Sequence, residues 1–142
     1  MQVREVMSDD PVTVDVDASV QTAVGRMLRE GIGSVVVTSG DDPAGILTET
    51  DALKAGYLAE RRFADIPVTK AMTRDPVTIP PSATTRRAAN RMRAEDVKKL
   101  VVVDGIDLVG VVTVTDLARN QTALVREAHR IERGRGGWEP DS

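Results

Sequence analysis

The sequence predicts an α/β fold made of two pseudo-symmetric β-α-β-β-α repeats that pack together. The first observation is an internal repeat. A shift of 65 residues places residues 3–55 over 68–120 without a gap, and the block Asp-Pro-Val-Thr occurs at 10–13 and again at 75–78. The second is that short runs rich in Val and Ile alternate with segments of helical periodicity in both copies. Two copies are too few for a solenoid, and the linker between them is short, so we expect two half-domains that pack against each other.

The elements of the first copy follow from turn, capping and periodicity signals. A helical turn at Val3–Met7 leads into Asp-Pro, which is a turn signal. A β-branched run then predicts a strand, a serine predicts a helix N-cap, and neighbouring Gly and Asp residues predict a hairpin. The predicted elements are a strand at Val12–Val16, a helix from Ser19 to Glu30, strands at Ser34–Thr38 and Ala44–Leu47, and a last helix with Thr50 as its N-cap.

The same signals predict the second copy. Its elements are a turn at Val68–Met72, a strand at Val77–Ile79, a helix capped by Ser82 or Thr84 and ending near Glu95, strands at Leu100–Val103 and Leu108–Val112, and a helix capped by Thr115. The repeat divides the chain into a first repeat at 1–66 and a second at 67–122. Residues 123–142 are expected to form a helical extension followed by a disordered tail.

Composition excludes several classes of function. The chain has 142 residues, 41% hydrophobic and 29% charged, as is usual for a soluble domain, and only 2% are aromatic, so the core is aliphatic. Cysteine is absent and His129 is the only histidine, so thiolate and most imidazole chemistry is excluded and we expect no enzyme. The net charge of −3 argues against binding of duplex nucleic acid. No apolar run is long enough for a membrane span, and the N-terminus lacks an apolar signal segment, so we expect a cytoplasmic protein.

The segments that could carry chemistry are GILTETD at 45–51 and GVVTVTD at 110–116. In each, an apolar strand leads into two threonines and an aspartate at a helix start. One interpretation is structural, with the threonine as a cap and the aspartate complementing the helix dipole. The other is a ligand site, because free N–H groups at a helix start suit a phosphate and a carboxylate can accept hydrogen bonds from a ribose diol. The residues alone leave both interpretations open.

Each copy resembles a CBS domain, a family named after cystathionine β-synthase. The resemblance lies in the Asp-Pro-Val-Thr block, the Val-Val-Val strand, the Gly-Asp turn and the pattern Gly-h-h-[Ser/Thr]-x-x-Asp, where h is apolar. It implies a tandem pair, or Bateman module, whose cleft binds AMP, ADP, ATP or S-adenosylmethionine as a regulatory ligand, with no required cofactor and no metal. The resemblance implies that Thr48 with Asp51, and Thr113 with Asp116, contact the phosphate or the ribose. It also implies that the base is contacted by residues of the first strand of each repeat, which are Thr13, Val14, Thr78 and Ile79. The pseudo-twofold relation leaves open which first strand faces which aspartate.

The two copies differ just before the central strand. The second copy has Lys98 and Lys99 where the first has Gly33 and Ser34. In nucleotide-sensing members of the family, basic residues at this place meet phosphates, so the resemblance implies that role for the two lysines. The alternative is that they are solvated residues at a helix end, where a cation is favourable.

The resemblance implies a stand-alone regulatory module with a role in energy sensing, which binds an adenosine-containing molecule and signals to an unknown regulated protein. A homodimer is also expected, because apolar residues recur on the last helix of each copy beyond those that one core needs. They are Leu53, Tyr57, Leu58, Leu117, Leu124 and Val125. One alternative is a structural or dimerisation module without a physiological ligand. Another is an RNA-associated protein that uses the two lysines and the Gly134–Gly137 segment.

Overall fold

The computed structural model describes residues 1–120, which contain the first predicted repeat and all but the last two residues of the second. The first repeat forms β1 (Thr13–Asp15), α1 (Val20–Glu30), β2 (Ser34–Ser39), β3 (Asp42–Thr48) and α2 (Glu49–Ala59). A short helix α3 (Val68–Ala71) and strand β4 (Thr73–Arg74) follow, and then the second repeat forms β5 (Thr78–Ile79), α4 (Thr85–Glu95), β6 (Lys99–Asp104), β7 (Asp107–Thr113) and α5 (Val114–Arg119). Single 3-10 turns lie at Val3–Glu5 and Phe63–Asp65. The predicted order strand, helix, strand, strand, helix is confirmed in both copies.

The chain divides into two compact units. The first unit contains residues 10–76 with the hairpin tip Gly105–Leu108, and the described part of the second contains residues 1–9, 77–104 and 109–120. In the first unit the sheet order is β1-β2-β3-β4, with β1 parallel to β2 and the other pairs antiparallel. In the second unit the order is β5-β6-β7, with β5 parallel to β6.

Each helix that covers a sheet begins at a side-chain cap. Ser19 Oγ accepts from the N–H of Thr22 at 3.2 Å, and Thr84 Oγ1 accepts from the N–H of Arg87 at 3.1 Å. One face of each helix is then apolar: Val20, Ala23 and Met27 are buried on α1, and Ala88 and Met92 on α4. These caps confirm the predicted Ser19 and select Thr84 over Ser82.

The leading segment of each repeat packs in the unit formed by the other repeat. Val3 is fully buried in the core of the second unit, with Leu100 and Val112 among its cluster, and its N–H donates to the carbonyl of Ala83 at 2.8 Å. Its repeat counterpart Val68 is fully buried in the core of the first unit. The compact units are therefore built from discontinuous segments, and the sequence division at residue 66 stays a prediction.

Two glycines allow the backbone of each leading segment to pack closely against the sheet strand that contains the glycine. A Cβ atom on Gly45 would lie 2.6 Å from the carbonyl oxygen of Thr73, and one on Gly110 would lie 2.5 Å from that of Ser8. Neither position has room for a side chain, so the glycine that opens each Gly-h-h-[Ser/Thr]-x-x-Asp pattern has a packing role.

Two expectations concern residues 121–142 and lie outside the described residues: the helical extension through Leu124 and Val125, and the disordered tail. Among the helices within residues 1–120, none combines the length and the apolar composition that a bilayer crossing requires.

Candidate functional site

Thr48 and Asp51 form a reciprocal capping box at the start of α2. Thr48 Oγ1 accepts from the N–H of Asp51 at 3.1 Å, and Asp51 Oδ2 accepts from the N–H of Thr48 at 3.0 Å. The N-cap is therefore Thr48, and the prediction of Thr50 as N-cap is wrong by two residues. The helix begins directly at the end of β3, because its first residue follows the last strand residue without a connecting loop.

The second unit repeats this arrangement at the start of α5. Thr113 Oγ1 accepts from the N–H of Asp116 at 3.1 Å, and Asp116 Oδ2 accepts from the N–H of Thr113 at 2.9 Å. Thr113 is the N-cap, so the prediction of Thr115 is corrected in the same way. Both threonine–aspartate pairs thus have a structural role, and it explains the spacing that pointed to a ligand.

The two helix starts offer fewer free N–H groups than the sequence predicts. The N–H of Glu49 donates to the carbonyl of Gly33 and that of Val114 to the carbonyl of Lys98, both at 3.0 Å. The N–H groups of Asp51 and Asp116 already donate to the capping threonines. Helix starts bound in this way neutralise a phosphate only weakly, so the charge of a phosphate needs another partner.

The hydrogen bond to Lys98 places the basic pair beside the second capping box. Lys98 is exposed, and Lys99, which is half-buried, begins β6. At the same place in the first unit, Gly33 precedes Ser34, and Ser34 lies opposite Thr48 in the β2–β3 register. The capping boxes are alike in the two units, whereas the charges beside them are not.

The side chains of Val14 and Ile79 lie in the two hydrophobic cores. Val14 packs in the cluster of Val35 and Val37, and Ile79 in that of Leu100. A contact of either residue with a ligand would therefore involve its backbone. Thr13 is half-buried and Thr78 is exposed, each at the edge strand of its sheet.

β2 separates Thr13 from Thr48 in the first unit. Thr13 lies opposite Val36, and Thr48 lies opposite Ser34 on the other side of β2. Two strand spacings amount to about 10 Å, so one sheet carries both residues without direct contact between them. In the second unit β6 likewise lies between β5, which begins at Thr78, and β7, which ends at Thr113.

Arg26 lies near the candidate site but was not among the predicted site residues. Its Nη1 donates to the carbonyl oxygen of Thr13 at 3.4 Å, so it lies at the edge strand expected to meet the base. The identity of Arg26 and Arg91 between the repeats was the available signal. Within residues 1–120, no cluster of His, Asp and Glu side chains could hold a metal ion.

Residues 3–57 and 64–122 each match the family of the CBS domain. The CBS domain-containing protein YhcV of Bacillus subtilis is 30% identical over 120 residues, which are 84% of this chain and 84% of that protein. The inosine-5′-monophosphate dehydrogenase of Korarchaeum cryptofilum is 34% identical over 131 residues, which are 89% of this chain but only 25% of the dehydrogenase.

Solved structures with CBS domains share the fold. A protein from Burkholderia ambifaria is 28% identical with a TM-score of 0.77, covering 87% of this chain and 99% of its own. CBS-domain protein ATU1752 of Agrobacterium tumefaciens is 29% identical with a TM-score of 0.74, covering 83% and 91%. The CBS domain pair of MJ0100, solved with 5′-methylthioadenosine and S-adenosylmethionine, is 23% identical with a TM-score of 0.75 over 84% and 94%, and this likeness concerns the fold alone.

Proposed function

Because this chain belongs to the CBS-domain family and carries two of these domains in tandem, we propose that it is a regulatory module for an adenosine-containing ligand. The ligand class is an adenine nucleotide (AMP, ADP or ATP) or S-adenosylmethionine, and the bound state is passed to a regulated protein. No cofactor and no catalytic step are part of this proposal. The observation that carries it is the carboxylate held at the end of a strand in both units.

The capping boxes support a ribose-binding role for Asp51 and Asp116. Each box uses the Oδ2 atom of the aspartate, so the carboxylate is fixed in place while its Oδ1 takes no part in the box. Both aspartates are half-buried, which leaves them accessible to a ligand. A carboxylate held in advance loses little conformational freedom when it accepts hydrogen bonds from a ribose diol.

The placement of the edge strands supports a base-binding role for Thr13 and Thr78. Two strand spacings and an offset of two residues along β2 put Thr13 about 12 Å from Thr48, which is the scale of a nucleoside. The repeat implies a similar separation of Thr78 and Thr113. The proposed contacts to the base are made by the Thr13 and Thr78 side chains and by the backbone of Val14 and Ile79.

The lysines support a preference for phosphate in the second unit. Because the first N–H groups of α5 are already bonded, Lys98 and Lys99 are the proposed partners of a phosphate there. Charge-assisted hydrogen bonds to phosphate are roughly twice as strong as neutral ones. The first unit has Gly33 and Ser34 instead, so we propose that it binds a phosphorylated ligand more weakly or takes a less anionic one.

Thermal shift and calorimetric titration against AMP, ADP, ATP, adenosine and S-adenosylmethionine test the proposal. A ligand at 100 times its dissociation constant stabilises the fold by about 2.7 kcal/mol. The matched variants are Asp51→Asn and Asp116→Asn, because an amide oxygen can still accept the N–H of the capping box while the charge is lost. We expect these variants to bind about tenfold more weakly with a melting temperature close to that of the wild type. No shift with any of these ligands contradicts the proposal.

A second proposed function, self-association through α2, rests on one observation. Leu53, Tyr57 and Leu58 of α2 are exposed by 69%, 83% and 77%. We propose that these side chains are covered in a homodimer, with an interface of at least about 1,000 Å². Light scattering at micromolar concentration tests it, with Leu53→Lys and Leu58→Lys expected to give monomers. A wild-type monomer contradicts the dimer and leaves the ligand proposal untouched.

A further inference from the structure

The solvent face of α4 is an arginine surface. Arg86, Arg87, Arg91 and Arg93 are all exposed on this helix, opposite the buried Ala88 and Met92. At 1.5 Å per residue, the four cations lie within about 10 Å along the helix axis. Their counterparts on α1 are Gln21, Thr22, Arg26 and Leu28, so this surface is specific to the second repeat.

Internal charges do not neutralise this surface within the described part of the chain. None of the four arginines forms an ion pair with an acidic side chain of residues 1–120. The packing of α4 rests on its apolar face, so the arginines are not needed to hold the helix. Glu95 is also exposed, one turn after Arg91, but it forms no ion pair with it. Four cations against one carboxylate leave the exposed surface of α4 positively charged, which favours a partner that carries carboxylates.

The first unit has the complementary charge. It contains seven Lys and Arg residues against twelve Asp and Glu residues, a net charge of −5, whereas the described part of the second unit has eight against six, a net charge of +2. Exposed carboxylates gather at one end of its sheet, where β1 ends and β2 turns into β3. They are Asp15, Asp17, Asp41 and Asp42.

The strand register explains this grouping. Asp15 lies opposite Thr38, and Asp42 lies opposite Ser39 on the other side of β2. The distance across the three strands is about 10 Å, which matches the length of the arginine surface. The second repeat has Pro80, Ser82 and Ile106 at three of the four corresponding positions, so the acidic end is specific to the first repeat.

We propose that the arginine surface of α4 docks on the acidic sheet end of a second copy of this chain. The contact joins two different surfaces, so it is heterologous and is independent of the apolar face of α2. Exposed ion pairs contribute little individually and are screened by salt, so the association is weak and depends on ionic strength. It also does not depend on the adenosine ligand.

Sedimentation velocity of the full chain at 50 mM and 500 mM NaCl tests this contact. We expect a larger weight-average mass at low salt than at high salt. The variant R86E/R87E/R91E is expected to weaken the low-salt association at least tenfold. Glutamate is as good a helix former as arginine, so α4 persists, and an unchanged far-UV CD spectrum checks this. The matched control R29E/R61E/K70E changes the net charge equally but on the first unit, and it is expected to retain the association.

Charge exchange makes the test specific. The variant D15R/D41R/D42R is expected to lose the association alone and to regain it when mixed with R86E/R87E/R91E. In the mixture the unchanged arginine surface of one variant meets the unchanged acidic end of the other, and the two exchanged surfaces also carry opposite charges. Absence of this rescue overturns the proposal, and so does an equal loss in the control variant. Tighter binding of a 20-nucleotide single-stranded RNA than of a second copy would assign the arginine surface to a polyphosphate and overturn it as well.

Discussion

The two units share the same order of strands and helices and the same capping box, but they differ in the residues beside that box. Each has a capping threonine, a fixed aspartate and a glycine that accepts a leading segment, whereas Gly33 of the first unit corresponds to Lys98 of the second. The threonine and aspartate of the capping box and the close-approach glycine are identical between the repeats and have capping or packing roles. The residues beside the boxes, Gly33 and Ser34 against Lys98 and Lys99, differ in charge. The proposed binding specificity rests on this difference.

The largest effect is expected when a unit is separated from the leading segment that completes its core. A fragment of residues 1–66 lacks Val68 and Met72, which are buried in the core of the first unit, whereas a fragment of residues 10–76 contains both. We expect 1–66 to show no cooperative melting and 10–76 to retain helix and melt cooperatively, as measured by far-UV CD. Cooperative melting of a monomeric 1–66 fragment would contradict the exchange.

The next largest effect is expected at the two close-approach glycines. Gly45→Ala and Gly110→Ala place a methyl group against a backbone oxygen, and overpacking of this kind costs about 1–3 kcal/mol or more. Gly40 and Gly105 are the controls, since both have φ of 65° and open space, so an alanine there costs only about 1–2 kcal/mol of backbone strain. Urea unfolding of the four variants checks the order. Equal losses of unfolding free energy at all four positions would contradict the packing role of Gly45 and Gly110.

The lysines test whether the units differ in function. The double change Lys98→Ala and Lys99→Ala is expected to weaken AMP or ATP about tenfold and adenosine much less, because only the phosphate loses charge-assisted hydrogen bonds. The reciprocal change, Gly33→Lys with Ser34→Lys, is expected to strengthen nucleotide binding in the first unit. Calorimetry at two salt concentrations measures both. Two equivalent nucleotide sites in the wild type would contradict the asymmetry.

The smallest effect is expected at the capping threonines. Thr48→Ala and Thr113→Ala each remove one acceptor of a helix N–H and are expected to cost about 1 kcal/mol of unfolding free energy. Thr→Ser at the same positions retains the hydroxyl and should be close to neutral. Thermal unfolding of both pairs compares the two boxes directly, and a loss in only one unit would show that they are not equivalent.

The sequence predicted the order of elements, because the repeat supplies every signal twice. Ser19 as a cap, the hairpin glycines Gly40 and Gly105 and the apolar face of α1 all act locally, within a few residues, so their prediction is confirmed. The helix starts at Thr48 and Thr113 were misplaced by two residues. Thr-x-Thr offers two possible caps, and the choice depends on where the strand ladder ends, which involves residues far along the chain.

The exchange of leading segments could not be predicted for the same reason. Val3 and Val68 are apolar residues in similar local sequences. The neighbouring residues do not indicate in which unit's core each one packs. The binding role of Thr48, Asp51, Thr113 and Asp116 stays a prediction. The sequence indicates these residues as candidates, but whether their hydroxyls and N–H groups are free depends on hydrogen bonds that only the fold defines.

The exchange also has a consequence for the order in which the chain can fold during synthesis. The first unit can be nearly completed once residue 76 has left the ribosome, because Val68 donates back to Ala18 within that stretch. Val3 precedes its partner carbonyl on Ala83 by eighty residues, so it must wait for most of the described chain to be made. Contacts of such separation pay the larger loop-closure entropy and form slowly. The Val3 segment is therefore among the last of the described residues to find its place, although it is made before every residue it packs against.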